Sequence, residues 1–481
     1  MNAPTTLRPP VTTPSAWHVR QVFLVTSLGI VLAALDLTVT NLAFPAIGKT
    51  FPHSASALSW ILNGYTIAYG SLLVTAGRLA DRLGRRRVFF AGLSTFAAGS
   101  MLSGLAPSLE ILVAGRAVQG VGASAMIPAS LGLLLVAAPP ERRAVWVALW
   151  GAATAVAAAL GPTLGGVIIQ EAGWRWAFLL NLPVVAVALI WGRSVLTESS
   201  DGGSRAPDPV GVALLSAGLG FVALALVEAP NWGWTDPRTV AAASAAVFAV
   251  LAFIFRSWRV ANPVVELHLL RERGFATANI GQTLMAGAVF TMLLCQVLFL
   301  TSIWHYGLIQ AGFAVSPAAL TSSVVSWRSG RLAQRYGFRP VLTVGTLLFA
   351  AGALLLAFSL DASPAWWTRW LPGAVLIGVG IGATLPIFSA AAVSALPPAQ
   401  FSVGSAVNQT AKQLGAILGI SILVALIGAH PDVARFRDAY IMFSAWAVTA
   451  AAVVAVGLRA PTRARALQTE LLPEVAEREA A

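Results

Sequence analysis

The chain has 481 residues, 57% of them apolar and only 10% charged, with 43 Gly, 27 Pro and a mean hydropathy of +0.77. Soluble domains carry about 25% charged residues, so a water-soluble globular protein is excluded; the apolar excess also excludes disorder, and the lack of a Gly-X-Y period excludes collagen. A net charge of +12 is compatible with a nucleic-acid or a membrane partner, and only the placement of the charges separates the two.

An apolar helix of about 20 residues crosses the roughly 30 Å hydrocarbon layer. Fourteen such stretches are expected. After an N-terminal arm (1–20), six fall within 21–195, at about 22–44, 57–76, 88–105, 111–137, 145–169 and 176–191. A linker (196–208) leads to two more within 209–257, at 210–227 and 239–255. A second linker (258–273) precedes the last six within 274–458, at 275–300, 311–325, 341–359, 371–393, 403–427 and 439–456; a tail (459–481) mixes Arg and Glu. No cleavage site follows the first apolar run, which reads as a permanent span. Cys295 is the single cysteine, so no intrachain disulfide forms, and no Cys/His spacing points to a metal or cofactor.

With both termini cytoplasmic, cytoplasmic segments hold 23 of the 31 basic residues and outer segments hold six, while Arg116 and Lys412 fall inside spans. That asymmetry is the positive-inside rule, and the scatter over seven short segments argues against nucleic acid. Trp60, Trp174, Trp176, Trp232, Trp234, Trp304, Trp366, Trp367 and Trp370 mark outer helix ends, as an aromatic belt does.

The stretch GRLADRLGRRR at 77–87 returns as GRLAQRYGFRP at 330–340, with seven of eleven positions identical at an offset of 253. Two related six-helix halves separated by two unmatched helices account for this order, the usual plan of a rocking transporter.

The sequence resembles the major facilitator superfamily, and within it the fourteen-helix drug:proton antiporters. The matching segments are LDLTVTNLAFPAI (35–47), GRLADRLGRRR (77–87), GRAVQGVGASAMIP (115–128) and GAATAVAAALGPTLGG (151–166). The resemblance implies an all-α integral membrane fold of two pseudo-symmetric six-helix bundles plus two extra central helices. It also implies proton-coupled multidrug efflux by alternating access, in the cytoplasmic membrane of a bacterial-type cell. The expected partners are a small-molecule substrate, protons and the bilayer, with no nucleic acid, and the protein is expected to be a monomer. Export of a lipid or of one natural product by the same coupling is the alternative. An enzyme is disfavoured, because no nucleophile triad, HExxH or paired-carboxylate pattern is embedded.

A charge in the bilayer interior costs at least about 2.5 kcal/mol, so embedded charges are functional suspects. Asp36 lies about 14 residues, or 21 Å, into the first span. Desolvation favours the neutral acid there, which makes Asp36 the first candidate for proton binding; the alternative is a carboxylate that stays ionised and ties helices together. Arg116, permanently charged, is either its coupling partner or a structural donor to helix carbonyls. The embedded Asn41, Asn63, Gln119, Gln282, Gln296, Asn408 and Lys412 are expected to line a central cavity. The lack of carboxylates in the last six spans weakens the case for dicationic substrates and leaves neutral, zwitterionic and anionic ones. By resemblance, Gly161, Pro162, Gly165 and Gly166 form an exporter signature shaping closure between the halves. Also by resemblance, Gly77, Asp81, Arg82, Gly84, Arg85 and Glu141 form a latch in which Asp81 faces the thirteenth helix near Ser402. Gln334 and Gln400 replace the acids in the second copy, so this latch is expected to be electrostatic on one side only.

Overall fold

The computed structural model describes residues 16–139, 142–200, 208–261, 263–396, 401–428 and 431–458. Among these the regular structure is helical throughout: α1 (Ala16–Thr50), α2 (Ala55–Leu83), α3 (Arg85–Gly104), α4 (Leu109–Ala137), α5 (Arg143–Ala172), α6 (Trp176–Leu179), α7 (Asn181–Val195), α8 (Pro209–Trp232), α9 (Pro237–Arg259), α10 (Arg273–Ser302), α11 (Leu308–Tyr336), α12 (Phe338–Ser359), α13 (Leu371–Ser394), α14 (Phe401–Ile427) and α15 (Val433–Gly457). Twelve segments are long and apolar enough to cross a membrane, one of them, Trp176–Val195, made from α6 and α7 together. The expected fourteen is therefore met by twelve; α3, which opens on Arg85, Arg86 and Arg87, and α5 are long helices outside that set.

The sixth span is broken where the hydropathy is continuous. Pro183 has no N–H for the carbonyl of Leu179, so the helix stops at Leu179 and restarts at Asn181.

Helix joins fall at two ends, one rich in arginine (83–85, 195–209, 259–273) and one rich in tryptophan (172–176, 232–237, 302–308, 359–371). At the tryptophan end the expected belt is only partly found. Trp176, Trp234 and Trp367 are exposed, but Trp174, Trp304 and Trp370 are buried, and their indole N–H groups donate to Thr50 Oγ1, the Asp361 carbonyl and the Ala314 carbonyl at 2.9 Å each. A buried indole needs such an acceptor, and here it fastens a loop or a neighbouring helix.

The sequence repeat is a structural repeat. Gly84 joins α2 to α3 at φ +109°, and Gly337 joins α11 to α12 at φ +88°, backbone that only glycine adopts without strain. Gly92 and Gly99 of α3 sit against the Met126 and Gln119 backbone nitrogens of α4, where an added Cβ would lie 2.6 Å away. Their counterparts 253 residues on, Gly345 and Gly352 of α12, meet α13 equally closely, at Ala383 and Ile377 (2.8 Å each). Small residues thus bring both helix pairs to backbone contact.

One buried apolar cluster runs from α1 (Val39, Leu42, Ala43, Ile47) into α10 (Ala288, Met292) and on through α12 to α15, joining the halves toward the tryptophan end. A separate cluster built on Val22, Val25, Phe89, Phe96, Met126 and Val185 stays within α1 to α7 toward the arginine end. The first cluster is thus shared by the two halves, whereas the second belongs to the first half alone; toward the arginine end Arg78 of α2 also pairs with Glu266 ahead of α10 (3.7 Å).

Helices α8 and α9 form a hairpin outside both halves, and α8 lies across the α2–α14 junction through Leu219 and Ala223 against Ile417, Trp60, Ile67 and Leu414. Arg256 of α9 grips Asp208, the N-cap of α8, through Nε (3.0 and 2.9 Å) and Nη2 (2.7 Å). Burial pushes the Asp208 carboxyl up, yet the hydrogen bonds and charge of Arg256, with the nearby Gly211 and Val210 backbone N–H groups, hold it below the usual carboxylate range. A lowered carboxylate contributes its stability in full above about pH 4 and loses it as pH falls through the lowered value. Arg256→Gln is expected to lower the Tm of the detergent-solubilised protein by about 1–2 °C at pH 7, with the two melting curves converging as pH drops below about 4. A gap that persists at low pH would show that the pair does not titrate in this range.

Candidate functional site

The most concentrated polar chemistry is sealed inside the first half. Asp36 (α1) and Arg116 (α4) are 1% and 0% exposed and paired at 2.5 Å between Oδ2 and Nη1. Asp36 Oδ1 accepts from Gln119 Nε2 (3.0 Å) and from Asn181 Nδ2 (3.2 Å), and both amides also reach Ser100 Oγ, at 2.7 and 3.2 Å. Arg116 donates further to Gln119 Oε1 (2.9 Å) and, through Nε, to the Ile61 carbonyl (3.1 Å). Its Nη2 makes no hydrogen bond, but the guanidinium lies 4.4 Å from the Tyr65 ring centroid, which offers a cation–π face.

Five helices supply this cluster: α1, α2, α3, α4 and α7. Three N–H donors converge on one carboxylate, an arrangement that an ionised acid accepts in full and a protonated one does not. The sequence picks out Asp36, Arg116 and Gln119, but Gln119 belongs to this cluster rather than to open space. Ser100 and Asn181 are missed, since a serine or asparagine in an apolar helix carries no signal of its own. Asn181 opens α7 at the break beside Pro183 and reaches Asp36 from there.

Among the described residues the second half holds no equivalent. The residues 258 positions after Arg116 and Gln119, the offset that relates Gly115 and Gly122 to Gly373 and Gly380 across these seams, are Ala374 and Ile377, both buried and apolar. Its own polar chain runs from Ser389 Oγ, which donates to Asn408 Oδ1 (2.8 Å), through Asn408 Nδ2 to Asn279 Oδ1 (3.2 Å). Lys412, one turn beyond Asn408 on α14, places Nζ 5.2 Å from the Phe290 ring centroid of α10. Of the other amides expected at the cavity, Asn63 and Gln282 are fully buried with neither amide atom hydrogen-bonded, as is Gln296 Nε2, whereas Asn41 turns back to the Leu37 carbonyl (2.8 Å).

At the tryptophan end the halves meet along α5 and α11. Gly166 faces the Leu308 carbonyl, where a Cβ would sit 2.8 Å away, Gly312 faces the Pro162 carbonyl, and Thr163 and Ser316 share a hydrogen bond of 2.8 Å. Gly161 and Gly165 turn instead to Thr38 and Val39 of α1. The signature around Pro162 thus presses α5 onto α1 on one side and onto α11 on the other. Midway along α2, Gly70 meets Gln413 of α14.

Compared with known proteins, residues 26–420 and 280–477 match the profile of the Major Facilitator Superfamily. The chain belongs to the Major Facilitator Superfamily. Superfamily relatives include a tetracenomycin C resistance and export protein of Streptomyces glaucescens, 32% identical over 85% of this chain and 76% of its own. The multidrug resistance protein Stp of Mycobacterium tuberculosis is 31% identical over 84% of this chain and 75% of its own. A crystal structure of a POT family transporter, 14% identical, superposes with TM-score 0.69 over 91% of this chain and 95% of that one, which shows the shared fold. The superfamily is one of transporters, so the chain is a multi-pass membrane transporter and not an enzyme.

The loop expected as a superfamily latch holds together locally. Asp81 pairs with Arg85 four residues on, at 2.7 Å to Nη2 and 2.8 Å to Nε, and the Arg85 side chain lies against Gly132 of α4. Gly77 meets Pro128 of α4, and Gly84 makes the turn. Arg82 is exposed. Glu141 lies outside the described residues. Glu198, which no sequence pattern singles out, joins the loop: its carboxylate accepts from the backbone N–H groups of Arg86 (3.0 Å) and Arg87 (3.2 Å) and so caps the start of α3.

Proposed function

We propose that the protein exports small amphipathic compounds in exchange for protons by alternating access. The observation that supports this most is the sealed Asp36–Arg116 pair with its three converging donors. In this reading α3 and α5 join the twelve apolar spans to make fourteen, in two six-helix bundles (21–195 and 274–458) with α8 and α9 between them. The arginine-rich end and both termini face the cytoplasm of a bacterial-type cell, and the protein works as a monomer.

The geometry then corresponds to the form that has released its proton inward. With Asp36 ionised and held by Arg116, Gln119 and Asn181, the first half is internally satisfied, and a cytoplasmic substrate meets an open cavity. Once the halves rock, a proton arriving from outside competes with Arg116 for Asp36, loosens the cluster and favours the return stroke. Gly166, Pro162 and Gly312 let α5 and α11 close tightly behind the substrate, and the loop at Asp81 and Arg85 latches the opposite end in the alternate form.

A second reading, export of one natural product, draws on the relative named for tetracenomycin C export. Substrate-driven proton movement into a pH dye trapped in proteoliposomes tests the first reading. Proton counterflow on addition of at least one amphiphile is expected. Binding of such a compound with no proton movement would overturn the coupling.

A further inference from the structure

Among the described residues Lys412 is a cation inside a span with no carboxylate paired to it; the ion pairs found there involve other residues. It stands 11 residues after Phe401 and 15 before Ile427. At 1.5 Å per residue these are about 16 and 22 Å, beyond what a lysine side chain covers to reach water by snorkelling. The embedded Asp36 is already neutralised by Arg116, so midway along α14 the second half carries one positive charge with no carboxylate paired to it. Beside Nζ lies the Phe290 ring, and one turn away runs the Ser389–Asn408–Asn279 chain of hydrogen-bonding side chains. An unpaired cation in a low-dielectric site is expensive to keep, and an anionic ligand is the partner that removes the cost.

We propose that the cavity selects amphiphiles bearing a carboxylate or similar anionic head, which ion-pairs with Lys412 while the apolar body lies along Phe290. This deepens the export reading by naming its substrate class. It also fixes the charge carried per cycle: one monoanion leaving as one proton enters moves two positive charges inward, so a negative-inside potential accelerates export. A monocation exchanged for one proton would feel no such pull.

The test is equilibrium binding of three probes with one body, naphthylacetate, naphthylacetamide and naphthylmethylamine, to the detergent-solubilised full chain. Naphthylacetate is expected to bind about tenfold more tightly than the amine, the scale of one charge-assisted contact. In Lys412→Gln that preference disappears while acetamide binding stays within about twofold, and Lys412→Arg keeps it. Equal or weaker binding of naphthylacetate than of the amine, binding of none of the three, or an undiminished preference in Lys412→Gln overturns the proposal. Should Lys412→Gln lose acetamide binding as well, the wild-type ranking decides alone. Binding is read without transport, so the substrate class can fail while antiport stands, and the reverse.

Discussion

Asp36→Asn is expected to abolish substrate-driven proton movement, by about 100-fold or more, while exchange of substrate for substrate across the membrane persists. Asparagine keeps the shape of the side chain and can still accept from Gln119 or Asn181, but it binds no proton in this range. It also leaves Arg116 charged and fully buried without its counter-ion, and breaking a buried pair from one side costs about 3–5 kcal/mol. A fall in Tm therefore accompanies the loss of coupling and must be separated from it. The double variant Asp36→Asn with Arg116→Met removes both charges and is expected to regain most of the lost stability without regaining proton movement. If coupling returns with stability in the double variant, Asp36 is a structural tie and the proton site lies elsewhere. The measurements are thermal unfolding in detergent and dye-reported proton flux in proteoliposomes.

Gly312→Leu is expected to cut transport about fivefold or more by wedging α11 away from α5. The side chain would have to enter the space of the Pro162 carbonyl, which is backbone and cannot swing aside. Overpacking of this kind costs about 1–3 kcal/mol in the closed form and nothing once the helices separate, a shift of about fivefold to 150-fold between the two forms. Because Cys295 is the single cysteine and is buried, a Ser316→Cys probe in a Cys295→Ala background reports the seam cleanly. Labelling by a membrane-impermeant thiol reagent should rise in Gly312→Leu. Gly220→Ala on α8, where an added methyl meets nothing within 4 Å, serves as the control and should leave both readouts unchanged. Unchanged labelling in Gly312→Leu would mean that this seam does not set the balance between forms.

Much of this architecture is written in periodic or bulk properties, and those are what a single sequence exposes. Apolar runs give helices, arginine bias gives sidedness, and the copy of 77–87 at 330–340 announces the repeat that Gly84 and Gly337 make physical. Asp36 and Arg116 are legible because a charge in an apolar run is too costly to persist without a partner or a task. Their supporting shell is not: Ser100 and Asn181 are ordinary residues whose meaning arises from which helices α3 and α7 touch. The break beside Asn181 coincides with the missing N–H of Pro183, invisible to a hydropathy average. The same blindness assigns Gln119 to the cavity and reads Trp174, Trp304 and Trp370 as a belt, since an indole at a helix end looks alike whether it faces lipid or fastens a loop.

Every side chain bonded to Asp36 comes from the first half, whereas Lys412, Asn408, Asn279 and Ser389 all belong to the second. Under the proposed exchange, ion and cargo would not compete for the same atoms and would communicate through the relative tilt of the two halves. Under that proposal, substitutions around Lys412 would change which compounds are carried while leaving the hydrogen bonds to Asp36 intact.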